Sequence, residues 1–280
     1  MRNTQFKSTI SRVVIAGAGL MLSAGAARAD LTINGAVGLP LNPTAQIPER
    51  GSVRVQANFV DLGSGRGALG GDLNLGGIYA AGRAGDRLEI SGGLERVNGD
   101  AFLNPLDETN VALGVKYLIT RQSEAPGRAL GGTSVAVGAG YSRALLRNTH
   151  AYVVASRSMG ALRASGRANG AAHLGLRYDD FDARGILPGR SAGKASVFGG
   201  VEVPMDAQGR FTAVGELQSR NSNFGTSNFP YSASVRYRPA GGFSASLGIQ
   251  REGITGDSGF FAQVGKVSVA RRYEYSNYYA

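Results

Sequence analysis

The chain has 280 residues, of which 43 are Gly and none is Cys, and its formal net charge is +10 at pH 7. The absence of Cys excludes thiol catalysis and Cys-based metal sites. Glycine inside a helix costs about 1 kcal/mol per site, so this composition argues against long helices. The positive charges are dispersed along the chain rather than clustered, and we therefore expect no nucleic-acid partner.

Residues 1–29 have the pattern of a secretory signal peptide. A positively charged region (residues 2–12) precedes the apolar run Val13–Leu22, and Ala27-Arg28-Ala29 is an A-x-A cleavage site. The apolar run is too short for a membrane-spanning helix, which needs about 20 residues. The sequence predicts export, cleavage after Ala29 and a mature chain that begins at Asp30.

The mature chain divides into two parts. Residues 30–51 are rich in Gly and Pro and predict an N-terminal periplasmic or plug-like segment. Residues 52–280 predict one β-barrel domain, because apolar and polar residues alternate with a period of two almost throughout. No later segment approaches 18 uninterrupted apolar residues, which excludes a helical membrane protein.

The alternation predicts twelve strands. In chain order they contain SVRVQANFV, LNLGGIYA, RLEISGGLE, NVALGVKYLI, TSVAVGAGY, HAYVVAS, AAHLGLRYD, KASVFGGVEV, RFTAVGELQ, YSASVRYR, FSASLGIQ and GFFAQVGKVSV. In the second strand, Leu73, Leu75 and Tyr79 are assigned to the apolar face. We predict an all-β fold: a single up-and-down antiparallel transmembrane β-barrel of about twelve strands. A soluble periplasmic β-sandwich is the alternative, since alternation alone fits both.

The lengths of the connections favour the barrel. Bacterial outer-membrane barrels have short periplasmic turns and longer external loops. The predicted short turns are Ala84–Asp86, Asp206–Gly209 and Pro239–Gly242, and the predicted long loops include NGDAFLNPLDE and DDFDARGILPGRSAG. The connection Thr120–Gly132 is long where a short turn is expected, which suggests a miscounted strand nearby.

The aromatic residues predict two girdles on the outer face, as in membrane barrels. The external girdle would contain Phe59, Tyr141, Tyr178, Tyr231 and Phe260, and the periplasmic girdle Tyr79, Tyr117, Phe211, Tyr237 and Phe243.

The polar face of the strands predicts the residues that line the lumen. These candidates are Arg54, Gln56, Asn58, Glu89, Glu95, Lys116, His173, Arg177, Glu202, Glu216, Gln218, Arg236, Arg238 and Gln250. Charges of both signs are costly in lipid but stable in a hydrated interior. A barrel of about twelve strands is narrower than the 16–18-stranded porins, so long inward side chains could fill it.

We predict no catalytic residues, no cofactor and no metal. His150 and His173 are the two histidines in the chain, and neither G-x-S-x-G nor H-E-x-x-H occurs. The acidic run Asp179–Asp182 could hold a divalent cation, but it lacks the spaced D-x-D-x-D-G pattern, and an acidic external loop is a sufficient explanation.

Two segments resemble known outer-membrane barrels. NGAVGLPLNPTAQIPERGSVRVQANFVD is similar to the opening of a group that includes YjbH-like proteins linked to exopolysaccharide production, and SASVRYRPAGGFSASLGIQRE resembles the hairpins of porin-like barrels. The resemblance implies the bacterial outer membrane, with lipid, lipopolysaccharide and the barrel insertion machinery as partners. The C-terminus departs from the pattern, because Ala280 follows the aromatic Tyr279.

Two functions therefore remain open. The first is a narrow porin-like channel for small polar solutes or glycan. The second is a non-conducting structural or surface-interaction barrel, associated with the envelope or exopolysaccharide, whose loop Asn221–Phe229 contacts its partners.

Overall fold

The computed structural model describes residues 30–33, 35–62, 73–101, 104–120, 133–143, 147–159, 170–182, 191–219, 229–239, 241–251, 253 and 258–269. The strands in these ranges are β1 (Ser52–Asp61), β2 (Leu73–Ala84), β3 (Leu88–Ala101), β4 (Asn104–Thr120), β5 (Thr133–Ser142), β6 (Arg147–Met159), β7 (Gly170–Asp182), β8 (Ser191–Pro204), β9 (Phe211–Gln218), β10 (Tyr231–Tyr237), β11 (Phe243–Arg251) and β12 (Ser258–Val269). Among the described residues, no helix is long and apolar enough to cross a membrane. The predicted signal peptide lies outside these ranges.

The twelve strands of the described ranges form one closed barrel. Every strand pairs antiparallel with its neighbours in sequence, and β12 pairs with β1 from Ser52↔Val269 to Asp61↔Phe260. Closure leaves no sheet edge with unpaired backbone groups. The predicted all-β, up-and-down antiparallel barrel of about twelve strands is confirmed.

Several predicted connections were wrong. The run NGDAFLNPLDE was assigned to a loop, but β3 and β4 continue through it, and Asn98 pairs with Asp107 and Ala101 with Asn104. The acidic run Asp179–Asp182 likewise continues β7. A ladder is held by backbone hydrogen bonds, so it can extend past the last apolar side chain into polar sequence.

The strand count needs no revision at Thr120–Gly132. The strands on either side of this connection, β4 and β5, pair directly with each other. The suggested miscount is therefore wrong, and residues 121–132 themselves lie outside the described ranges.

The outer face of the barrel is apolar. Its exposed large side chains include Val53, Val55, Ile90, Leu94, Leu113, Val115, Leu174, Leu176, Val197, Val201, Val235, Leu247 and Ile249. Two aromatic pairs lie near opposite ends: Phe59 and Phe260 are 5.9 Å apart between ring centroids, and Phe211 and Tyr237 are 4.7 Å apart. Nine of the ten predicted girdle residues lie on the outward face of their strands.

Tyr79 is the exception, because β2 presents the opposite face to the one predicted. Its side chain is only 3% exposed and points into the barrel, while Ile78 points outward. Inside, the phenol hydroxyl donates a hydrogen bond to Glu95 Oε1 at 3.0 Å. The ring covers Gly77 and Gly93, where a Cβ would come within 2.5 and 2.3 Å of it. These glycines make the space that the inward ring occupies.

Candidate functional site in the barrel lumen

The structure places the predicted lumen residues on the inward face of the barrel. Arg54, Gln56, Asn58, Glu89, Glu95, Lys116, His173, Arg177, Glu202, Glu216, Arg236 and Gln250 are all buried. Gln218 and Arg238 are partly exposed. Their burial follows from the alternation of side chains along each strand. Their role in lining a passage stays a prediction.

The interior contains a second feature, the segment of residues 30–50 that precedes β1. We call it the lumen segment. It folds on itself through backbone hydrogen bonds such as Thr32 N to Ala36 O and Gly38 N to Asp30 O. A Cβ on Gly38 would lie 2.4 Å from Asn42 O, so the close backbone approach requires glycine there. The segment leaves the lumen at Gly51, which has φ +74° and turns the chain into β1.

The backbone of the lumen segment contacts inward side chains of β1, β3, β4, β6, β9 and β12. The groups bonded to inward side chains are Leu31 N and O, Thr32 O, Ile33 O, Val37 N and O, Leu41 N, Asn42 N, Ala45 N and Gln46 O. Buried backbone groups without partners are costly. The inward polar side chains of the wall therefore supply hydrogen-bond partners for backbone groups of the lumen segment that would otherwise be buried without them.

One ion pair holds the middle of the segment. Lys116 Nζ lies 2.9 Å from Glu89 Oε2, and both side chains are only 1% exposed. Glu89 Oε1 accepts the Val37 N–H at 3.0 Å, while Lys116 donates to Val37 O at 2.8 Å and to Gln46 O at 2.7 Å. The ion pair thus bonds to both the N–H and the C=O of Val37, and Lys116 also bonds to the C=O of Gln46.

Glu216 forms a second anchor, and among the described residues no Lys, Arg or His forms an ion pair with it. Its carboxylate accepts hydrogen bonds from Leu41 N at 2.7 Å, from Asn42 N and Nδ2 at 3.0 Å each, and from the Ser232 hydroxyl at 2.6 Å. Hydrogen bonds to a charged acceptor are worth about twice those between neutral groups. Three of these four donors belong to the lumen segment.

A cluster of three arginines surrounds the start of the segment. The Asp30 carboxylate, 1% exposed, forms ion pairs with Arg54 and Arg236. It also accepts hydrogen bonds from Nε and Nη2 of Arg238 at 3.2 and 3.0 Å. Arg54 donates in addition to the Ser244 hydroxyl. The alternation predicts the three arginines on the inward face but not Asp30, whose position directly after the predicted cleavage site was its only signal.

A chain of polar contacts runs from this cluster around the wall. Arg236 Nη1 donates to Glu202 Oε2 at 3.0 Å, and Glu202 Oε1 lies 3.5 Å from His173 Nε2. His173 Nδ1 is 2.8 Å from Ser156 Oγ, which also accepts the Ala45 N–H at 2.8 Å. The buried serine oxygen thus connects these wall residues to the lumen segment.

The predicted acidic cluster does not converge on one point. Asp179 points inward, where Arg177 Nε and Asn148 Nδ2 donate to its Oδ1 at 2.8 Å each. Asp180 occupies the opposite face of β7, because side chains alternate along a strand. Within the described part of the chain, no group of three or more His, Cys, Asp or Glu residues could hold a metal ion. His150 is also inward, stacked on Tyr152 at 6.2 Å.

Apolar contacts complete the seating of the lumen segment. Leu31 and Val37 pack against Tyr79, Ala81 and Ala112 of the wall. Ala45, with Ile47 at its edge, packs in a second cluster whose wall residues are Leu118, Ala136, Tyr152, Val154 and Phe198. Leu39 fits over Gly200, where a Cβ would lie 2.3 Å from Leu39 Cδ1.

The segment fills the width that a barrel of this size offers. Strands about 4.8 Å apart and tilted about 40° give twelve strands a backbone diameter of about 24 Å. Facing side-chain layers take up about 10 Å of this width, which leaves about 14 Å. A folded-back backbone with its own side chains needs most of that space. A cavity between Thr32 and Glu89 measures about 10 Å³, room for about one water.

Most of the anchors lie toward one end of the barrel. Arg54, Glu89, His173, Glu202 and Arg236 are each within four residues of the strand end at which the even-to-odd connections lie. Connections of this type at residues 85–87, 205–210 and 238–242 are short.

Comparisons with known proteins give similar structures at low identity. No family model matches the chain, and no curated protein matches it. The chain is similar to the KdgM porin, with 10% identity, a TM-score of 0.46 and coverage of 77% of this chain and 97% of that one. It is similar to the NanC porin, with 13% identity, a TM-score of 0.47 and coverage of 78% and 99%. The translocator domain of the autotransporter NalP from Neisseria meningitidis has 12% identity, a TM-score of 0.38 and coverage of 82% and 90%.

Proposed function

We propose that this protein is an outer-membrane β-barrel whose interior is a narrow porin-like passage for small polar solutes or glycan, and that the lumen segment acts as its plug. The proposal rests on the composition of the inward face, which carries charged side chains of both signs together with Ser and Gln, and which contacts the lumen segment. A barrel built only as a scaffold has no need of a charged interior, since well-packed apolar side chains carry a lower desolvation cost than buried charges.

The outer face supports the membrane location. Large apolar side chains exposed by more than 40% cover β3, β4, β7, β8 and β11, among them Leu94, Leu113, Leu174 and Leu247. A soluble monomer rarely exposes contiguous apolar patches of more than a few hundred Å². The aromatic pairs at the two ends of the strands match the interfacial girdles of membrane barrels.

Cell fractionation tests the location. We expect the protein in the outer-membrane fraction, with different gel mobility in boiled and unboiled samples, as a detergent-resistant barrel requires. Recovery in the periplasmic supernatant without detergent would contradict the membrane assignment and favour the soluble alternative.

Ion selectivity in planar bilayers tests the passage. Arg236 and Arg238 lie at the lumen end that holds the segment, so Arg236→Glu and Arg238→Glu should each shift the reversal potential in a salt gradient toward cation preference. Arg210→Glu is the matched control, because Arg210 carries the same charge but lies exposed in the turn before β9. Selectivity that changes equally in all three variants would contradict a path through the lumen.

The non-conducting barrel is the second candidate. It is favoured by the number of backbone groups through which the wall holds the lumen segment. In that case the segment is a permanent part of the core, and neither the wild-type chain nor variants that weaken its anchors would conduct. Its predicted partner-binding loop, Asn221–Phe229, lies almost entirely outside the described residues.

A further inference from the structure

The wall of the lumen bonds to both polar groups of single residues in the lumen segment. Gln56 Oε1 accepts the N–H of Leu31 at 3.0 Å, and Gln56 Nε2 donates to the C=O of Leu31 at 2.8 Å. Glu89 and Lys116 bond in the same way to the N–H and the C=O of Val37, at 3.0 and 2.8 Å. These contacts use no side-chain atom of Leu31 or Val37, and every residue except proline carries the same two backbone groups.

Other wall side chains bond to consecutive peptide groups. The Glu216 carboxylate accepts the N–H of Leu41 at 2.7 Å and the N–H of the next residue at 3.0 Å. Asn58 Nδ2 donates to the C=O of Thr32 and to the C=O that follows it, at 3.1 Å each. Peptide groups recur along a chain at a fixed spacing of about 3.8 Å between Cα atoms. The inward side chains therefore match the spacing of a polypeptide backbone.

Apolar recesses for aliphatic side chains lie beside these polar groups. Val37 packs in one buried cluster with Tyr79 and Ala112 of the wall. Leu39 lies over Gly200, where a Cβ would come within 2.3 Å of Leu39 Cδ1, so the missing side chain makes room for a branched one. Peptide-binding sites combine the same two elements, because hydrogen bonds to the main chain give affinity and pockets for side chains give specificity. A neutral sugar has no aliphatic side chain for such a recess.

We propose that the solutes bound in this lumen are short, uncharged peptides with aliphatic side chains, and that the lumen segment occupies their site as a covalently attached peptide ligand. This inference rests on the proposed function, because it assumes that the segment is a releasable plug. The wall groups that bond to the backbone of Leu31, Val37 and Leu41 form the site. A free peptide competes with the segment for these groups and favours its release.

Calorimetric titration of the full-length protein in detergent tests the site. The probe is the capped peptide acetyl-AVGLPLNPTA-amide, which has the uncharged sequence of residues 36–45, and maltohexaose is the neutral sugar control. Gly38→Val should release the segment and leave the wall intact, because a Cβ on Gly38 would lie 2.4 Å from Asn42 O within the segment. Leu39→Asp serves the same purpose by placing a carboxylate in an apolar recess. Hydrogen exchange of the segment shows its release in either variant.

We expect the released variants to bind the peptide about tenfold more tightly than wild type, because a site blocked in most molecules loses apparent affinity in proportion to the blocked fraction. Maltohexaose should bind to none of these proteins. Equal mobility of the unboiled variants on gels shows that the barrel is folded.

Two wall substitutions, each added to Gly38→Val, locate the bound peptide. Glu216→Gln keeps the size of the side chain but removes the carboxylate that accepts two consecutive N–H groups, and it should weaken peptide binding about tenfold. Gln263→Ala is the matched control. Gln263 Nε2 donates to Leu31 O at 3.3 Å, and the probe does not contain this residue, so the affinity should stay the same.

The proposal would be overturned by a segment that stays protected in both Gly38→Val and Leu39→Asp. Peptide binding that is no tighter after release, that survives Glu216→Gln or that maltohexaose matches would overturn it as well. Binding is measured without current, so the two claims fail separately. A barrel that binds the peptide but never conducts contradicts the passage, whereas a conducting barrel that does not bind the peptide contradicts this site.

Discussion

Replacement of Glu216 by Ala should release the lumen segment from one side of the barrel. The change removes the acceptor of Leu41 N, Asn42 N and Asn42 Nδ2. A buried donor left without an acceptor costs about 1–3 kcal/mol. We take the two backbone donors at the lower end of this range, about 1 kcal/mol each, because water enters the loosened lumen. With a similar loss for the bond from Asn42 Nδ2, the docked state of the segment loses about 3 kcal/mol of stability. That value corresponds to a roughly 100-fold larger population of the undocked segment.

Hydrogen–deuterium exchange of the protein in detergent micelles measures this population. In Glu216→Ala, peptides from the lumen segment should exchange about 100-fold faster, while β1–β12 keep their protection, since the strands are held by their own ladders. Ser232→Ala is the matched control: it removes the hydrogen bond from a wall hydroxyl to the same carboxylate and leaves the segment's donors in place. Unchanged exchange in the segment, or equal loss of protection in the strands, would refute the reasoning.

Two further predictions concern stability. Lys116→Met leaves the buried carboxylate of Glu89 unpaired and should lower the free energy of unfolding, measured with denaturant, by about 3–5 kcal/mol. The double variant Glu89→Gln/Lys116→Met should recover most of this loss. Equal losses in the single and the double variant would contradict the pairing. In the exposed turn before β9, the Phe211 N–H and Arg210 hold the pKa of Asp206 below its ordinary value. Its stabilising contribution is therefore present above pH of about 3.9 and lost as the pH falls through the lowered folded pKa. Asp206→Asn should lower Tm at neutral pH but not in strong acid, and a difference that persists in acid would contradict this assignment.

The strands could be predicted because one physical signal, period-two alternation, determines which face of each strand is apolar. The signal fails where glycine removes it. In β2, Gly76 and Gly77 interrupt the alternation, so the face of Tyr79 could be decided only by its contacts with Gly93 and Glu95 on the neighbouring strand. Such contacts join residues that are distant in sequence and carry no local pattern.

The charges of the lumen were predictable as a group, but their partners were not. The sequence places Glu89, Lys116 and Glu216 on inward faces, yet gives no sign that their main ligands are backbone groups of Val37, Leu41 and Asn42. Backbone amides are the same in every sequence, and their pairing depends on where the segment folds. For the same reason, the sequence predicted a separate segment that ends at residue 51, but it did not predict the path of this segment through the lumen.

A reversible lock of the lumen segment tests the central claim most directly. The chain has no Cys, and Ala45 N lies 2.8 Å from Ser156 Oγ, so Ala45→Cys/Ser156→Cys places one candidate disulfide between segment and wall. In planar bilayers we predict conductance from the reduced double variant that disappears on oxidation and returns with reductant, while the Ala45→Cys single variant does not respond. Conductance that persists in the oxidised double variant, or a reduced variant that never conducts, would contradict a passage closed by this segment.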